Sequence, residues 1–354
     1  MVRGFESFAE ECFEALRERP ELRVGLVGGR GRPGDGRLTA PVPAADATVA
    51  RMLGRVLRRD GYFAQQLLFA LALAPILAAR RPDVVLVSDW VLASALGRWR
   101  RLTRQRYKLL LCNGSPGGPR FDWSIDHVQQ LTPALHRIAL DGGEPPARHT
   151  LLALGRAIAP ELAPQRPRRE ARAALGLPVE GELLLCVSAL NHWHKRIDYL
   201  IDEVFTLQPR PHLVLLGQFE AETPAILCRA RERLGRDGFT ARTVTRHEVV
   251  AYYRAADMLV HAALYEALGL VLVEAMAEGL PVVAHDSPTT RFVVGPHGHL
   301  GDLARPGALA PLVRAARATA QDGREARHRH AYERFSWDRL APSYVEMVRA
   351  CATS

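Results

Sequence analysis

The second half of the chain alternates short apolar runs with amphipathic segments, and this rhythm constrains the fold more than any other feature. Continuous apolar runs of this kind predict strands that are buried on both faces. The segments between them carry apolar residues at helical spacing. Strands that alternate with such helices predict a parallel sheet with right-handed crossovers. The predicted strands are 183–187, 213–216, 240–244, 258–262 and 281–284, and the predicted helices are 198–206, 224–234, 248–256 and 268–278.

The first half shows the same rhythm less clearly. Apolar runs predict strands, and a Gly- and Pro-rich stretch at 28–43 predicts a loop. Because strands and helices again follow one another, the first half is also expected to be an α/β domain. The predicted strands are 23–28, 83–88 and 109–112, and the predicted helices are 5–18, 46–59 and 62–80.

A change of composition divides the chain near its middle. Residues 150–170 are rich in proline and arginine and lack apolar periodicity, which predicts a linker. The length of 354 residues suits two domains. We therefore predict an α/β fold with two Rossmann-like parallel-sheet domains, residues 1–160 and 161–337, that face each other across a cleft. Ligands of such sheets bind beyond the carboxyl ends of the strands, so candidate site residues are sought there.

Composition excludes several classes of protein. The apolar fraction of 48% and charged fraction of 24% exclude disordered, collagen-like and coiled-coil chains. The weakly polar run at 67–79 is shorter than the about 20 residues of a membrane span, so it predicts a buried helix. The beginning of the sequence lacks the layout of a secretory signal. Five scattered cysteines predict reduced thiols and a cytoplasmic protein, not a disulfide frame or a zinc site.

The excess positive charge lies in the first predicted domain. The net charge is +9, and residues 1–160 hold 23 Lys and Arg against 15 Asp and Glu, while residues 161–354 hold 24 against 23. The densest basic run is 98–108, which is either a solvated helix face or a contact for an anionic partner. The sequence lacks the basic and aromatic patterns of nucleic-acid binders, so no nucleic acid is expected. Peripheral contact of this half with an anionic membrane stays open.

The segment around Gly269 is the most informative motif. Gly269 stands between a strand and a helix, where its missing side chain lets a ligand approach the backbone. The amides of Leu270 and Val271 would then open the helix and attract a diphosphate. Glu266 precedes this helix, and Glu274 lies just over one turn into it. Either glutamate alone can be an ordinary surface charge, but the pair predicts contacts with a ribose diol and with the group beyond the phosphates.

A second motif follows the predicted strand 183–187. Lys195 and Arg196 open the next helix, where cations oppose the helix dipole. Placed there, they can neutralise a leaving diphosphate. We predict a phosphate contact for Lys195, whereas for Arg196 a solvated surface charge is an equal alternative.

Taken in this order, these motifs resemble those of the retaining glycosyltransferases of family four, which have the GT-B fold. The resemblance covers most of residues 180–345. It rests on Glu266 and Glu274 eight residues apart with Gly269 inside, and on the Lys195-Arg196 pair. It also includes Ala-Ala-Asp at 255–257 before a strand and Phe-Ser-Trp at 335–337 before the last helix.

The resemblance implies a reaction and a set of roles. A nucleotide-diphosphate sugar is held mainly by the second domain, with Glu274 on the ribose, Glu266 on the donor sugar and Lys195 on the phosphates. The sugar, a hexose, is transferred to an acceptor hydroxyl with retention of anomeric configuration. No metal is implied, and the chain has no Asp-x-Asp triplet, which clamps magnesium or manganese in the other major glycosyltransferase fold. The last helix, within 338–354, is implied to pack back on the first domain.

The sequence departs from the family pattern in the donor motif. The family usually has an arginine six residues before the lysine, and this chain has Ala189 there. Arg196 or His194 can replace it, or phosphate binding is weaker. The family also begins with a strand, and only two residues precede the Gly-rich loop at Arg3-Gly4, whereas a strand needs about five. The first strand is therefore expected to be missing or to lie upstream.

Acceptor-side residues are expected in the first domain, near Gly4, Asp89 and residues 113–118. Many relatives carry a histidine after the strand that matches 109–112, and this chain has Asn113. His127 can replace that histidine, or it is a loop histidine with satisfied hydrogen bonds.

Two other functions compete with sugar transfer. Gly25, Gly28 and Gly31 follow a strand, as in dinucleotide-dependent oxidoreductases, but Arg-Pro-Gly comes next and no helix starts there to hold a pyrophosphate. A catalytically inactive glycosyltransferase-like binding subunit is the other alternative, because Ala189 and Asn113 depart from the family pattern.

Overall fold

The computed structural model describes residues 4–29, 33–44, 47–114, 124–164, 167–320 and 322–353. The chain forms two compact units. The first unit comprises Phe5–Gly155 and the chain from Leu340 onward, and the second comprises Arg156–Arg339. The predicted missing strand concerns residues before Gly4, which lie outside the described residues. In chain order the elements are α1 (Gly4–Arg17), β1 (Leu26–Gly28), β2 (Arg37–Thr39), α2 (Thr48–Val56), α3 (Gly61–Arg80), β3 (Val84–Val87), α4 (Trp90–Thr103), β4 (Lys108–Asn113), β5 (His127–Gln130), α5 (Pro133–Asp141), β6 (His149–Leu151), α6 (Arg168–Ala174), β7 (Leu183–Val187), α7 (Ile197–Thr206), β8 (His212–Leu216), α8 (Thr223–Leu234), β9 (Phe239–Arg242), α9 (Arg246–Ala255), β10 (Met258–His261), α10 (Leu270–Ala277), β11 (Val282–His285), α11 (Pro288–Val294), β12 (His299–Gly301), α12 (Leu309–Ala318), α13 (Arg324–Phe335) and α14 (Trp337–Thr353).

The first unit is built on a four-stranded parallel sheet in the order β3-β4-β5-β6, with a separate parallel pair of β1 and β2. The predicted strands at 83–88 and 109–112 are confirmed as β3 and β4. The prediction of a continuous loop over 28–43 is wrong, because β2 lies within it. Sequence reasoning missed β5, whose residues are His-Val-Gln-Gln, because its buried polar side chains hide the apolar signal of a strand.

Helix α3 is more exposed than its sequence predicts. It is long and apolar enough to cross a membrane by length and composition, the one such helix among the described residues. Ala70, Leu73 and Leu77 on one face are buried, whereas Leu71 is 61% exposed. The prediction of a buried helix therefore holds for one face of α3 and is wrong for the other.

The last helix belongs to the first unit from Leu340 onward. Its Tyr344 is fully buried there, and the hydroxyl donates to the carbonyl of Ala153 at 2.8 Å. The same hydroxyl accepts a hydrogen bond from Nε2 of Gln129 at 2.6 Å. A buried phenol with both a donor and an acceptor partner fixes this helix beside β5.

The second unit holds a six-stranded parallel sheet in the order β12-β11-β10-β7-β8-β9. This is the strand order of a Rossmann fold, in which the direction of winding reverses between the two central strands, here β7 and β10. All five predicted strands and all four predicted helices are present, with ends within about two residues of the predicted ones. Sequence reasoning did not predict β12.

Gly217 allows the end of β8 to lie against the turn that follows β7. A β-carbon at Gly217 would lie 1.6 Å from the carbonyl oxygen of Ser188, which no side chain can tolerate. We expect Gly217→Ala to lower the free energy of unfolding by about 3 kcal/mol or more, since backbone must move to relieve the clash. Urea unfolding checks this, with Gly114→Ala as the control because a β-carbon there meets nothing within 4 Å. Equal stability of the two variants would contradict this role for Gly217.

Candidate functional site

The two motifs found in the sequence meet at the ends of β7 and β10, the two central strands of the second unit, between which the direction of winding reverses. The loop after β7 carries Lys195, and the loop after β10 carries Glu266. Strands β7 and β10 are neighbouring and parallel, with Leu185 opposite Leu259. Both loops therefore leave the same edge of the sheet, which is where open α/β sheets bind ligands.

Lys195, Glu266 and His261 form a nearly buried cluster. The ammonium of Lys195 forms an ion pair with Oε1 of Glu266, and Nε2 of His261 donates to the same oxygen at 2.8 Å. The side chains are only 16%, 13% and 3% exposed, respectively. Burial raises the pKa of Glu266, but the hydrogen bond and charge of His261 and the ammonium of Lys195 outweigh it and hold this pKa well below its usual range. Glu266 is therefore a charged hydrogen-bond acceptor at neutral pH, not a proton donor.

Asn191 shapes the turn that presents Lys195. Its side chain is buried, and Oδ1 accepts from the amide of Lys195 at 2.9 Å and from the amide of His194 at 3.3 Å. Its Nδ2 donates to Glu220 at 3.0 Å. An asparagine that bonds the following backbone makes a local turn in place of helix. Sequence analysis missed Asn191, although an asparagine just after a strand was the available signal.

Arg196 precedes helix α7 and does not lie within it. The prediction that Lys195 and Arg196 open the helix is wrong, because α7 begins at Ile197 and Arg196 is its N-cap with φ of 53°. The guanidinium donates to the carbonyl of Leu303 at 2.7 Å and lies 4.2 Å from the ring centre of Tyr199. These contacts give Arg196 a local bonding role, and its predicted contact with the donor stays a prediction. His194, the other expected substitute, has Nε2 3.1 Å from the carbonyl of Tyr265.

Gly269 is the N-cap of helix α10. Its φ of 83° lies in the left-handed region that glycine adopts without strain. Helix α10 begins at Leu270, so the amides of Leu270 and Val271 lie in the first turn, where a helix offers its own amides no acceptor. Glu274 is the fifth residue of α10, as expected from the sequence. The helix start thus has the features of an anion site, with Glu266 and Glu274 on either side of it in the chain.

Glu274 is held by two donors that sequence analysis missed. A guanidinium nitrogen of Arg156 donates to Oε1, and the hydroxyl of Tyr253 donates to Oε2 at 2.9 Å. Burial and the charge of Glu274 raise the pKa of Tyr253 well above its usual value, so the hydroxyl keeps its proton. Burial lowers the pKa of Arg246, at the start of α9, while Glu274 and Tyr253 raise it. Both oxygens of Glu274 are thus engaged, and its charge is surrounded by arginines.

The acceptor-side candidates lie apart from one another along the first half of the chain. Asp89 caps α4, where Oδ1 accepts from the amide of Leu92 at 2.9 Å and Oδ2 accepts from the hydroxyl of Tyr62 at 2.7 Å. Asn113 ends β4, and its Nδ2 donates to Oε1 of Gln130 at 2.8 Å. Gly4 is the first residue of α1. Residues 115–118 of the expected acceptor loop lie outside the described residues. The acceptor role of these residues stays a prediction.

His127 lies in strand β5, so the interpretation of it as a loop histidine is wrong. It is buried, and Nε2 lies 2.8 Å from the hydroxyl of Thr150 on the neighbouring strand β6. Burial, followed by the charges of His149 and Arg148, lowers the pKa of His127 to about 4. A buried polar ring needs a hydrogen-bond partner, and the neutral ring of His127 has one in the hydroxyl of Thr150.

The lowered pKa of His127 predicts a loss of stability in acid. Its unfolded-state pKa is near 6.5, so between pH 6.5 and pH 4 the unfolded chain takes up a proton that the folded chain refuses. Stability is full above this window and falls as the pH drops through it, by about 2 kcal/mol at the lower end. Urea unfolding at several pH values checks this. We expect His127→Gln, which can still bond Thr150, to flatten this part of the profile, and an unchanged slope would contradict it.

The described ranges contain no group of three or more His, Cys, Asp or Glu residues that could hold a metal ion. All five cysteines fall within these ranges and none of them forms a disulfide there, and all except Cys228 are buried. The prediction that these thiols are reduced stays a prediction.

A family model matches the second unit. Residues 167–334 match the family described as glycosyl transferases group 1. The match contains every candidate donor residue, from Lys195 to Glu274.

Curated relatives and a solved structure extend this likeness. The chain is 34% identical over 194 residues to the D-inositol 3-phosphate glycosyltransferase of Xylanimonas cellulosilytica, covering 51% of this chain and 45% of the relative. It is 30% identical over 166 residues to the lipopolysaccharide core biosynthesis mannosyltransferase LpsB of Rhizobium meliloti, covering 45% of this chain and 47% of the relative. The matches thus span about half the length of these relatives. Alr3699/HepE of Anabaena, solved in complex with UDP and glucose, superposes with a TM-score of 0.72 at 16% identity and covers 96% of this chain and 95% of that one. That likeness shows the fold, which is GT-B.

Proposed function

We propose that this chain, whose residues 167–334 belong to the group 1 glycosyl transferases, moves a sugar from a nucleotide-diphosphate sugar to an acceptor hydroxyl. One observation carries the proposal. At the switch point of a Rossmann-type sheet, a buried Lys195–Glu266–His261 cluster and a helix start at Gly269 come from the two central strands. This arrangement offers an ammonium and helix amides to a diphosphate and carboxylates to sugar hydroxyls.

The donor assignment follows from the chemistry of each group. The first-turn amides of α10 and the ammonium of Lys195 suit the two phosphates. Among the described residues, Arg156 donates to Oε1 of Glu274 and Tyr253 donates to Oε2, and each carboxylate oxygen has a second lone pair that suits a hydroxyl of a ribose. Glu266 suits the donor sugar as an acceptor of hydrogen bonds. UDP-sugars are the first donors to test, since the Anabaena protein was solved with UDP.

We further propose that transfer retains the anomeric configuration and needs no metal ion. Breaking the bond between sugar and phosphate leaves negative charge on the phosphate, and cations aimed at it stabilise the transition state. Lys195 supplies that charge here. The departing phosphate then takes the acceptor proton on the same face of the sugar, because Glu266, whose pKa lies well below its usual range, is too weak a base to take it. The resemblance to retaining family-four enzymes supports this stereochemistry.

We propose that the protein works in the cytoplasm, where nucleotide sugars are expected and where its free thiols stay reduced. The basic first half supports a peripheral contact with an anionic membrane.

A thermal-shift panel of nucleotide-diphosphate sugars, followed by donor hydrolysis without acceptor, tests the proposal. A donor that binds only the folded state raises the melting temperature. We expect at least one donor to do so and to be hydrolysed slowly. Binding without hydrolysis or transfer would favour the inactive binding subunit, and no shift with any nucleotide sugar would contradict the proposed donor site. Nuclear magnetic resonance of the product's anomeric centre tests retention, and activity in excess chelator tests metal independence.

A further inference from the structure

Helix α2 exposes an apolar face to solvent. Val49, Met52 and Val56 are 58%, 59% and 79% exposed, although apolar side chains on a helix normally face the core. Positions at spacings of three and four lie on one side of a helix. The exposed apolar residues therefore form a continuous stripe that runs along the whole of α2.

The buried side of α2 is a different one. Ala50 and Gly54 are its buried residues, and a β-carbon at Gly54 would come within 2.8 Å of the carbonyl of Arg59. The small residues thus let α2 lie tightly against the turn that follows it. Helix α2 is already packed on that side, so the apolar stripe is not its contact with the core.

Exposed arginines flank the stripe. Arg51 and Arg55 lie on the remaining side of α2, and Arg58 and Arg59 follow it directly, all of them exposed. Helix α2 contains no acidic residue. The nearest acidic residues in the sequence are Asp46, two residues before α2, and Asp60, which caps α3 by accepting from the amide of Phe63 at 2.8 Å. An apolar stripe flanked by arginines is the composition of helices that lie in the plane of an anionic lipid surface.

We infer that α2 is an in-plane docking helix, with Val49, Met52 and Val56 entering the headgroup region of an anionic phospholipid surface and Arg51, Arg55, Arg58 and Arg59 bonding the lipid phosphates. The charge argues for this occupant, because a second copy of the chain would bring another set of arginines against the first. The neighbouring helix α3 also carries an exposed apolar side chain, Leu71, which is 61% exposed. This surface is separate from the proposed donor site, which lies in the second unit.

Co-sedimentation of the full chain with vesicles tests the inference. We expect binding to vesicles of phosphatidylglycerol and phosphatidylcholine, weak binding to phosphatidylcholine alone, and weaker binding in high salt that screens the arginines. Arg51→Glu together with Arg55→Glu should raise the lipid concentration for half-binding by roughly fivefold or more per arginine. Val56→Gln and Met52→Gln, each a single surface change, should weaken binding without lowering the melting temperature.

A matched control is available in the second unit. Arg231 on α8 and Arg236 after it are also exposed, and Arg231→Glu with Arg236→Glu changes the net charge by the same amount outside the basic run 98–108. We expect this variant to bind vesicles several-fold better than the α2 charge variant. Equal losses in the two variants would mean a diffuse charge effect and would overturn the docking helix, as would no vesicle binding at low salt.

If Met52→Gln instead dissociates an oligomer in light scattering and leaves vesicle binding unchanged, the stripe is a contact between copies and the inference is wrong. None of these outcomes changes the donor thermal shift, so failure here would remove the proposed membrane contact and leave the proposed sugar transfer standing.

Discussion

Lys195→Ala should lower the rate of sugar transfer by about a hundredfold to a thousandfold, the usual effect of removing one group that stabilises developing charge. Lys195 is paired with Glu266 when no donor is present, and both side chains are largely buried. In the transition state the leaving phosphate offers the ammonium a stronger partner. The loss should therefore appear mainly in kcat, with a smaller change in the KM for the donor. Initial rates of transfer, or of donor hydrolysis, provide the measurement.

Lys108→Ala is the matched control. The chain has only two lysines among its 47 Lys and Arg residues, and Lys108 lies in the first unit, 3.8 Å from Asp126. We expect its rate to stay close to that of the natural chain. The rate of Lys195→Arg should lie between those of the natural chain and Lys195→Ala, because arginine keeps the charge but not the compact ammonium. Undiminished turnover of Lys195→Ala, with the fold intact by its melting temperature, would remove Lys195 from the mechanism.

The strands of the second unit could be predicted from sequence because each is a continuous apolar run. Leu183–Val187 and Met258–His261 are almost wholly apolar and buried. Glycines in the sequence also mark where neighbouring helices and strands end. Parallel strands with crossover helices then allow few topologies. Their order placed Lys195 and Glu266 at one edge, so the cluster itself was foreseeable.

The partners that hold the site residues are of two kinds. Asn191 and His261 bond residues within five positions of themselves, and the asparagine after a strand was a signal that sequence analysis missed. Arg156 bonds a residue in a distant segment, and no local pattern announces such a bond. Arg156 lies in a stretch interpreted as a linker, yet it is buried against Glu274 118 residues away. In the first unit the obstacle was different, since β5 carries buried glutamines that bond other side chains and so lacks an apolar signature.

Glu274→Gln and Arg156→Ala should both weaken donor binding, and they should do so through the same carboxylate. Glutamine removes the charge that the ribose hydroxyls bond, and a hydrogen bond to a charged group is worth about 1.5–3 kcal/mol, or roughly tenfold to a hundredfold in Kd. Arg156→Ala leaves the charge but removes the donor that orients Oε1. We expect about a tenfold rise in donor Kd for it, with kcat changed little, because the ribose is remote from the reacting bond. Calorimetric titration with the donor found in the panel measures both.

A double-mutant cycle separates orientation of Glu274 by Arg156 from independent contacts of each residue with the donor. If Arg156 acts through Glu274, the double variant binds the donor about as weakly as Glu274→Gln alone, whereas independent contacts would add. Arg254→Ala is the control for loss of a nearby guanidinium, since Arg254 pairs with Glu278 and is 45% exposed, and it should bind the donor normally. Tighter donor binding by Arg156→Ala would mean that Arg156 competes with the ribose for Glu274. Unchanged binding by Glu274→Gln would mean that this carboxylate does not bind the ribose at all.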